Sequence, residues 1–275
     1  GMTANMAMSV AVNASSPIAS NAHGIVQTTD TPDETQKVTK KLGFIGLEII
    51  KTERGISIAS AAVTALALFI VYIQVINISG GEQYAGFSLS MLNPMTLAGM
   101  LIGGMIPFII SALTMNSVGK AARQMIVEVR RQFREHADIL AGTGTPDYAK
   151  CVDISTKAAV NEMLFPGIIV MVAPILVGLL LGCEALGGMI AGAFCSGVLL
   201  SIMMVSSGEA WNNVKDKVEY NTRGRSADES YKAAVAGDLL GDAFRDISGP
   251  AINIVIKLMA IVSVTFAFWF IKVGG

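Results

Sequence analysis

Three aspartates, Asp238, Asp242 and Asp246, recur at four-residue spacing in the run Ala236-Gly-Asp-Leu-Leu-Gly-Asp-Ala-Phe-Arg-Asp-Ile-Ser-Gly-Pro250. On an α-helix four residues advance about 400°, so the three carboxylates share one face and climb about 6 Å per step. Like charges stacked in this way repel one another, and a cation between them relieves the repulsion. A ladder of hard oxygens suits Mg²⁺, above all Mg²⁺ shared with a phosphate ligand. The plainer reading of the same spacing is a solvated helix face. The run leads directly into the apolar segment Ala251 to Ile271, which one charge, Lys257, interrupts. Lys257 lies eleven residues beyond Asp246, close to three whole turns, which predicts an ammonium below the ladder and on nearly the same side. It reads either as a snorkelling lysine or as an intramembrane charge of the kind that marks a transport path. Asn253, one turn earlier, reads as a gate residue beside it or as a hydrogen-bonding contact to a neighbouring helix.

The elements that must hold these residues are set by composition. Hydrophobic residues make up 52% of the 275 and charged residues 15%, and the mean hydropathy is +0.57. Those values place the chain among integral membrane proteins. A net charge of -1 gives no basic footprint for nucleic acid, so nucleic-acid partners are not expected. Cys151, Cys183 and Cys195 are scattered, odd in number and without CxxC spacing, and read as packing residues rather than a disulfide or zinc framework.

Five segments have the length and apolarity needed to cross about 30 Å of hydrocarbon: Ile56 to Ile78, Met91 to Met115, Met163 to Cys183, Leu186 to Val205 and Ala251 to Ile271. Glycines recur in them and predict close helix packing. The expected architecture is therefore an all-α polytopic bundle of about five membrane-spanning helices. Residues 1–55 form an N-terminal cytoplasmic segment ahead of the bundle at 56–275. The basic residues test the orientation. Five lie in residues 1–55, seven in 116–162 and six in 206–250, making eighteen of the 20, whereas the opposite loops at 79–90 and 184–185 hold none. The positive-inside rule then places the carboxylate ladder in the cytoplasm. Ala121 to His136, Glu209 to Tyr220 and Ser230 to Asp246 read as helix extensions that continue the spans into a cytoplasmic funnel. Asp138 to Asp153, with Gly144 and Pro146, reads as a turn, and Gln27 to Lys41 as a polar loop.

Several motifs carry a resemblance. Gly208-Glu-Ala-Trp-Asn-Asn-Val-Lys215 and the stretch Tyr231 to Ala260, which contains the ladder, resemble the C-terminal signature of the membrane-integral, ion-pumping pyrophosphatases. Gly103-Gly-Met-Ile-Pro107, Val127-Glu-Val-Arg-Arg-Gln-Phe133, Pro146-Asp-Tyr148 and the weaker Ser16-Pro-Ile-Ala-Ser-Asn-Ala-His-Gly24 extend the similarity over essentially the whole chain. The resemblance implies a sixteen-helix fold working as a homodimer, with Mg²⁺-pyrophosphate in a cytoplasmic funnel and hydrolysis coupled to H⁺ or Na⁺ transport. The chain is similar to about the last third of that fold. The family's earlier half, with a second set of Asp-rich motifs, has no counterpart here.

Carried over by position, the resemblance makes Asp238, Asp242 and Asp246 ligands of Mg²⁺ and substrate, Lys215 a phosphate contact and Lys257 the gate lysine. Arg245 stands where the family has a second phosphate-binding lysine, which keeps the charge and changes the hydrogen-bond geometry. Asn212 stands where the family's Gly-Ala-Trp-Asp-Asn-Ala-Lys motif has Asp, and offers a metal one neutral oxygen. Ser20 stands where the family has an Asp that orients the attacking water, and a hydroxyl cannot act as a general base unaided. Leu47 occupies about the place of a further metal-ligand Asn. Trp211 reads as an interfacial anchor. Three readings follow: the C-terminal part of an ion-translocating pyrophosphatase, weakly active or inactive alone; a degenerate relative that binds Mg²⁺-phosphate or a membrane partner without turnover; and an unrelated small cation transporter. The expected partners are pyrophosphate, membrane lipid, and a second copy or the missing half.

Overall fold

A computed structural model describes residues 6–27, 31–141, 143–222 and 229–273, and among these every regular element is helical. In order they are α1 (Met6–Gln27), α2 (Asp33–Ser79), α3 (Pro94–Glu135), α4 (Ala137–Leu140), α5 (Tyr148–Thr222), α6 (Glu229–Ala243) and α7 (Gly249–Val273). A 3-10 turn at Gly81–Tyr84 precedes α3, and a π turn at Phe244–Ser248 joins α6 to α7. Among the described residues four helical stretches are long and apolar enough to cross a membrane, beginning at Asp33, Pro94, Tyr148 and Glu229. The protein is thus a multi-pass, all-α membrane bundle.

The chain forms two compact units, Gly1–Val63 and Thr64–Gly275, with α2 contributing to both. In the first unit α1 packs against the early part of α2: Ser16 Oγ donates to the Gly46 carbonyl at 2.7 Å. Ser20 lies half-buried on α1 and Leu47 exposed on α2. The polar loop expected over Gln27 to Lys41 is helical from Asp33 onward; residues 28–30 lie outside the described set. Asp33 and Glu34 in the first turn of α2 favour its positive end, and nothing between there and Ile56 breaks the helix.

In the second unit α3 is the ruler. Asn93 caps it, its Oδ1 accepting from the Met95 amide at 2.9 Å, and Pro94 follows at the start, where a missing N–H costs nothing. Regular α5 would be about 110 Å long, but its backbone breaks at Gly182, at φ 84° and ψ -177°. Contacts show that it folds back there. On the first limb Glu162 accepts from Ser117 of α3 at 2.8 Å; on the second limb Ala185 meets Gly99, Met189 meets Gly103 and Met204 meets Ser111. The first limb therefore runs antiparallel to α3 and the second parallel to it. The two limbs carry the spans expected at Met163 to Cys183 and Leu186 to Val205, and the reversal falls at Gly182 rather than in a loop at 184–185.

The second limb and α3 approach by backbone. A Cβ at Gly103 would lie 2.0 Å from the Met189 oxygen, and one at Gly192 would lie 2.1 Å from the Met100 oxygen. No side chain fits in either place. α7 closes the bundle against α5: Phe270, fully buried, covers Gly178, and Ile256 covers Gly197. Leu101, Leu199 and Phe268 point outward, as suits helices in an apolar solvent. At the basic end α3 continues to Glu135, as its amphipathic pattern predicts. There buried Glu128 holds Arg131 through two hydrogen bonds, 3.0 and 2.7 Å, and Gln132 bonds the Asp147 amide and carbonyl, pinning the start of α5. The Arg131 bonds, with a further one from Gln132 Nε2 at 2.9 Å, hold the Glu128 carboxyl down at about 2. The turn expected over Asp138 to Asp153 is shorter, because α4 and the start of α5 occupy both of its ends. The cysteines differ in setting: Cys183 is buried, Cys151 half-buried and Cys195 exposed, and all are free thiols.

Candidate functional site

The ladder and the Gly208–Lys215 motif meet because two glycines let α5 and α6 touch. A Cβ at Gly208 would lie 2.4 Å from the Gly241 oxygen, and Trp211 lies over Gly237, where a Cβ would approach its ring to 2.2 Å. Trp211, expected as an interfacial anchor, thus packs against α6. That contact brings Asn212 and Lys215 to Asp238, and Glu209 to Arg245.

Asp238 is 5% exposed and has both carboxylate oxygens engaged. Lys215 Nζ lies 2.9 Å from Oδ2, and Asn212 Nδ2 donates to Oδ1 at 3.2 Å. The bond to Asp238 raises the affinity of Lys215 for its proton above that of an ordinary lysine, although partial burial works against it. One turn on, Asp242 accepts from Arg245 Nη2 at 2.5 Å, and Asp246 accepts from Arg245 Nε at 3.1 Å. Glu209 Oε1 stands 3.7 Å from the same Nε. Burial raises the Asp242 carboxyl above the usual aspartate range; Arg245 opposes the shift, while Asp238 and Asp246 add to it by repulsion. Four carboxylates therefore surround two cations, and the site keeps an excess of negative charge.

The three ladder carboxylates interact, as the spacing predicts. They are strung along the helix, and among the described residues no three acidic, histidine or cysteine side chains converge to enclose a metal unaided. Asn212 uses its amide nitrogen toward Asp238, so only its oxygen remains for a ligand. An Asp at this position would set two carboxylates face to face and require a cation between them; the amide supplies a hydrogen bond instead. Glu209, absent from the candidates named by sequence, belongs to the same motif, and its carboxylate seven residues after Ile202 on the polar continuation of the span was the available signal.

Below the π turn, Asn253 is buried and lies 3.1 Å from Ser201 Oγ, which also reaches the Gly249 carbonyl at 3.0 Å. Ser201 has one proton for two acceptors. Turning the Asn253 amide so that its NH₂ donates to Ser201, which then donates to Gly249, satisfies both. Lys257 is half-buried on α7, and its ammonium forms no hydrogen bond or ion pair among the described residues. Ser20 and Leu47 belong to the other compact unit.

The sequence model described as inorganic H⁺ pyrophosphatase matches residues 1–266. The chain is 49% identical over 275 residues to a Clostridium tetani protein named "Putative K(+)-stimulated pyrophosphate-energized sodium pump", covering 100% of this chain and 40% of that protein. It is 40% identical over 266 residues to the "K(+)-insensitive pyrophosphate-energized proton pump" of Methanosarcina mazei, covering 97% of this chain and 39% of that protein. The chain spans about two fifths of the length of these curated relatives.

Proposed function

The chain belongs to the inorganic H⁺ pyrophosphatase family, and on that premise we propose that it is the C-terminal part of a membrane pump that couples Mg²⁺-pyrophosphate hydrolysis to H⁺ or Na⁺ movement. The observation that carries this reading is the pairing of Asp238 with Lys215 and of Asp242 and Asp246 with Arg245 at the polar mouth of α5 and α7. Mg²⁺ and pyrophosphate present the same two signs of charge, so the ligand can exchange partners with the site: carboxylates turn to the metal while Lys215 and Arg245 turn their N–H groups to phosphate oxygens. The donor chemistry fits Mg²⁺, with Asp238, Asp242 and Asp246 supplying hard oxygens and Asn212 one neutral oxygen. The rest of its shell belongs to the part of the relatives' length that this chain does not span. When bound, Mg²⁺ neutralises charge on the phosphoryl oxygens. Lys257 and Asn253 lie on the ion path, and the ladder faces the cytoplasm. A homodimer and a lipid annulus complete the assembly.

A second reading rests on Asn212 and Ser20. With an amide where a metal-bridged carboxylate would stand, and a hydroxyl where the water-orienting Asp would stand, the chain binds Mg²⁺-phosphate without turnover. Co-expression with a polypeptide spanning the first three fifths of a relative, followed by pyrophosphate- and Mg²⁺-dependent H⁺ or Na⁺ uptake into vesicles, separates the two. Uptake by the unaltered chain that Asp242→Asn abolishes supports the pump; uptake only after Ser20→Asp with Asn212→Asp supports the degenerate relative. Absence of uptake in both cases rejects the pump reading.

A further inference from the structure

At Phe244–Ser248 the helix that carries the ladder widens into a π turn, in which the Gly249 amide donates to the Phe244 carbonyl five residues back. Pro250 accounts for its position. Proline has no N–H, and in a regular helix its ring would strike the carbonyl four residues earlier, that of Asp246, so the turn before it opens. A π turn holds one surplus residue, and a surplus residue displaces all that follows by about 100°. On an uninterrupted α-helix the nineteen steps from Asp238 to Lys257 would make about 5.3 turns and leave the ammonium about 100° from the Asp238 face. With one residue absorbed in the turn, eighteen steps make about five whole turns, and Lys257 and Asp238 share a face.

A buried line of hydroxyls grips that turn. Ser248, its last residue, is fully buried; Thr114 and Ser111 of α3 are 1% and 6% exposed. Thr114 Oγ1 donates to Ser248 Oγ at 3.2 Å, Ser248 Oγ to Ser111 Oγ at 2.9 Å, and Ser111 Oγ to Met204 Sδ at 3.6 Å. Thr114 Oγ1 also reaches the Ser111 carbonyl at 2.9 Å and shares its one proton between the two acceptors, while Ser248 and Ser111 each donate once, so losing the central Ser248 hydroxyl breaks two contacts in a place water does not reach.

We infer that Ser111, Thr114 and Ser248 are positioning residues that hold the π turn and thereby fix the rotation of Lys257 relative to Asp238. Pro250 makes the wide turn favourable, and the hydroxyl line makes it obligatory by anchoring Ser248 to α3. Relaxation to α geometry would rotate α6 against α7 and carry the ammonium off the face of the carboxylates. The value of this register for ion coupling rests on the pyrophosphatase reading; the register itself does not.

The test therefore needs no substrate. Nitroxide labels at exposed Leu239 on α6 and Leu258 on α7, each paired with a reference label at Ile109 on α3, report which helix turns, with the three native cysteines replaced. A rotation of about 100° on a helix of about 10–12 Å diameter moves a surface site by about 8 Å. Pro250→Ala alone is expected to leave both distances as in the wild type. Pro250→Ala with Ser248→Ala is expected to shift at least one by several Å, and Pro250→Ala with Thr114→Val, a replacement of equal size, to do the same. A shift with Pro250→Ala alone, or no shift in either combined variant, overturns the assignment.

Discussion

Asp242 shows how single residues set the character of the site. Its carboxyl is pushed upward mainly by burial, with Arg245 opposing and the flanking aspartates reinforcing the shift. A carboxyl whose folded pKa lies above its unfolded value binds a proton more readily when folded, so its ionisation weakens the fold as pH rises. That penalty is absent below about pH 3.9, where the group is protonated in both states, and fully present at neutral pH once the folded pKa has been passed. Asp242→Asn is therefore expected to raise the thermal unfolding midpoint by a few degrees at pH 7 and to leave it unchanged near pH 3.5. Added Mg²⁺ should stabilise the wild type at pH 7 and the variant much less, since the variant lacks the charge that the cation relieves. Equal midpoints for both proteins across this range would show that the ladder carries no electrostatic strain. The sequence made the proximity of the three acids legible, because four-residue spacing permits little else on a helix. It did not reveal that Asn212 donates to Asp238, because an amide can present either end and only the nearness of a carboxylate, which accepts and cannot donate, decides which.

At the scale of elements, glycines decide the contacts. Gly103 and Gly192 sit where the α3 and α5 backbones nearly touch, whereas a Cβ at Gly119, on the same helix α3, would meet nothing within 4 Å. Gly103→Ala must force the helices apart and is expected to cost about 1–3 kcal/mol, the usual scale of an overpacked core. Gly119→Ala removes only the conformational freedom of the unfolded chain and should stabilise by up to about 1 kcal/mol. Unfolding of the two variants in mixed detergent, measured side by side, distinguishes a packing glycine from an incidental one; similar effects would contradict the close approach of α3 and α5. Helix existence was readable from the apolar runs, but helix ends were not. Polar Asp33 to Gly55 lacks a membrane-span signature and is nonetheless helical, because its residues are good helix formers with a favourable acidic start. The reversal at Gly182 needed a backbone at positive φ, and four glycines nearby, Gly178, Gly182, Gly187 and Gly188, were equal candidates by sequence. The π turn did leave a mark in Pro250, which a straight-helix count from Asp246 to Lys257 passed over.

For the whole molecule, charge asymmetry links fold to direction. In the second unit the described Lys and Arg side chains outside the spans, Lys272 apart, gather at the end where α3, α5 and α6 leave the bundle, while Arg223 and Arg225 lie outside the described residues. Lys272, at the far end of α7, stacks over Phe268 at 4.6 Å, an arrangement that lets one cation remain at the opposite boundary. Because α3 and the second limb of α5 run parallel and α7 runs against them, one orientation fixes all the others. Positive-inside insertion then puts Tyr220, 85% exposed near the end of α5, in the cytoplasm and the exposed Gln83, in the 3-10 turn, on the far side. In intact cells, an impermeant thiol reagent is expected to label Gln83→Cys at once and Tyr220→Cys only after permeabilisation, in a background lacking the native cysteines. The reverse pattern would place Asp238, Asp242 and Asp246 outside the cell, away from cytoplasmic pyrophosphate. On the proposed reading the site would then keep its geometry and drive no pump, because pyrophosphate and the ladder would be on opposite sides of the bilayer.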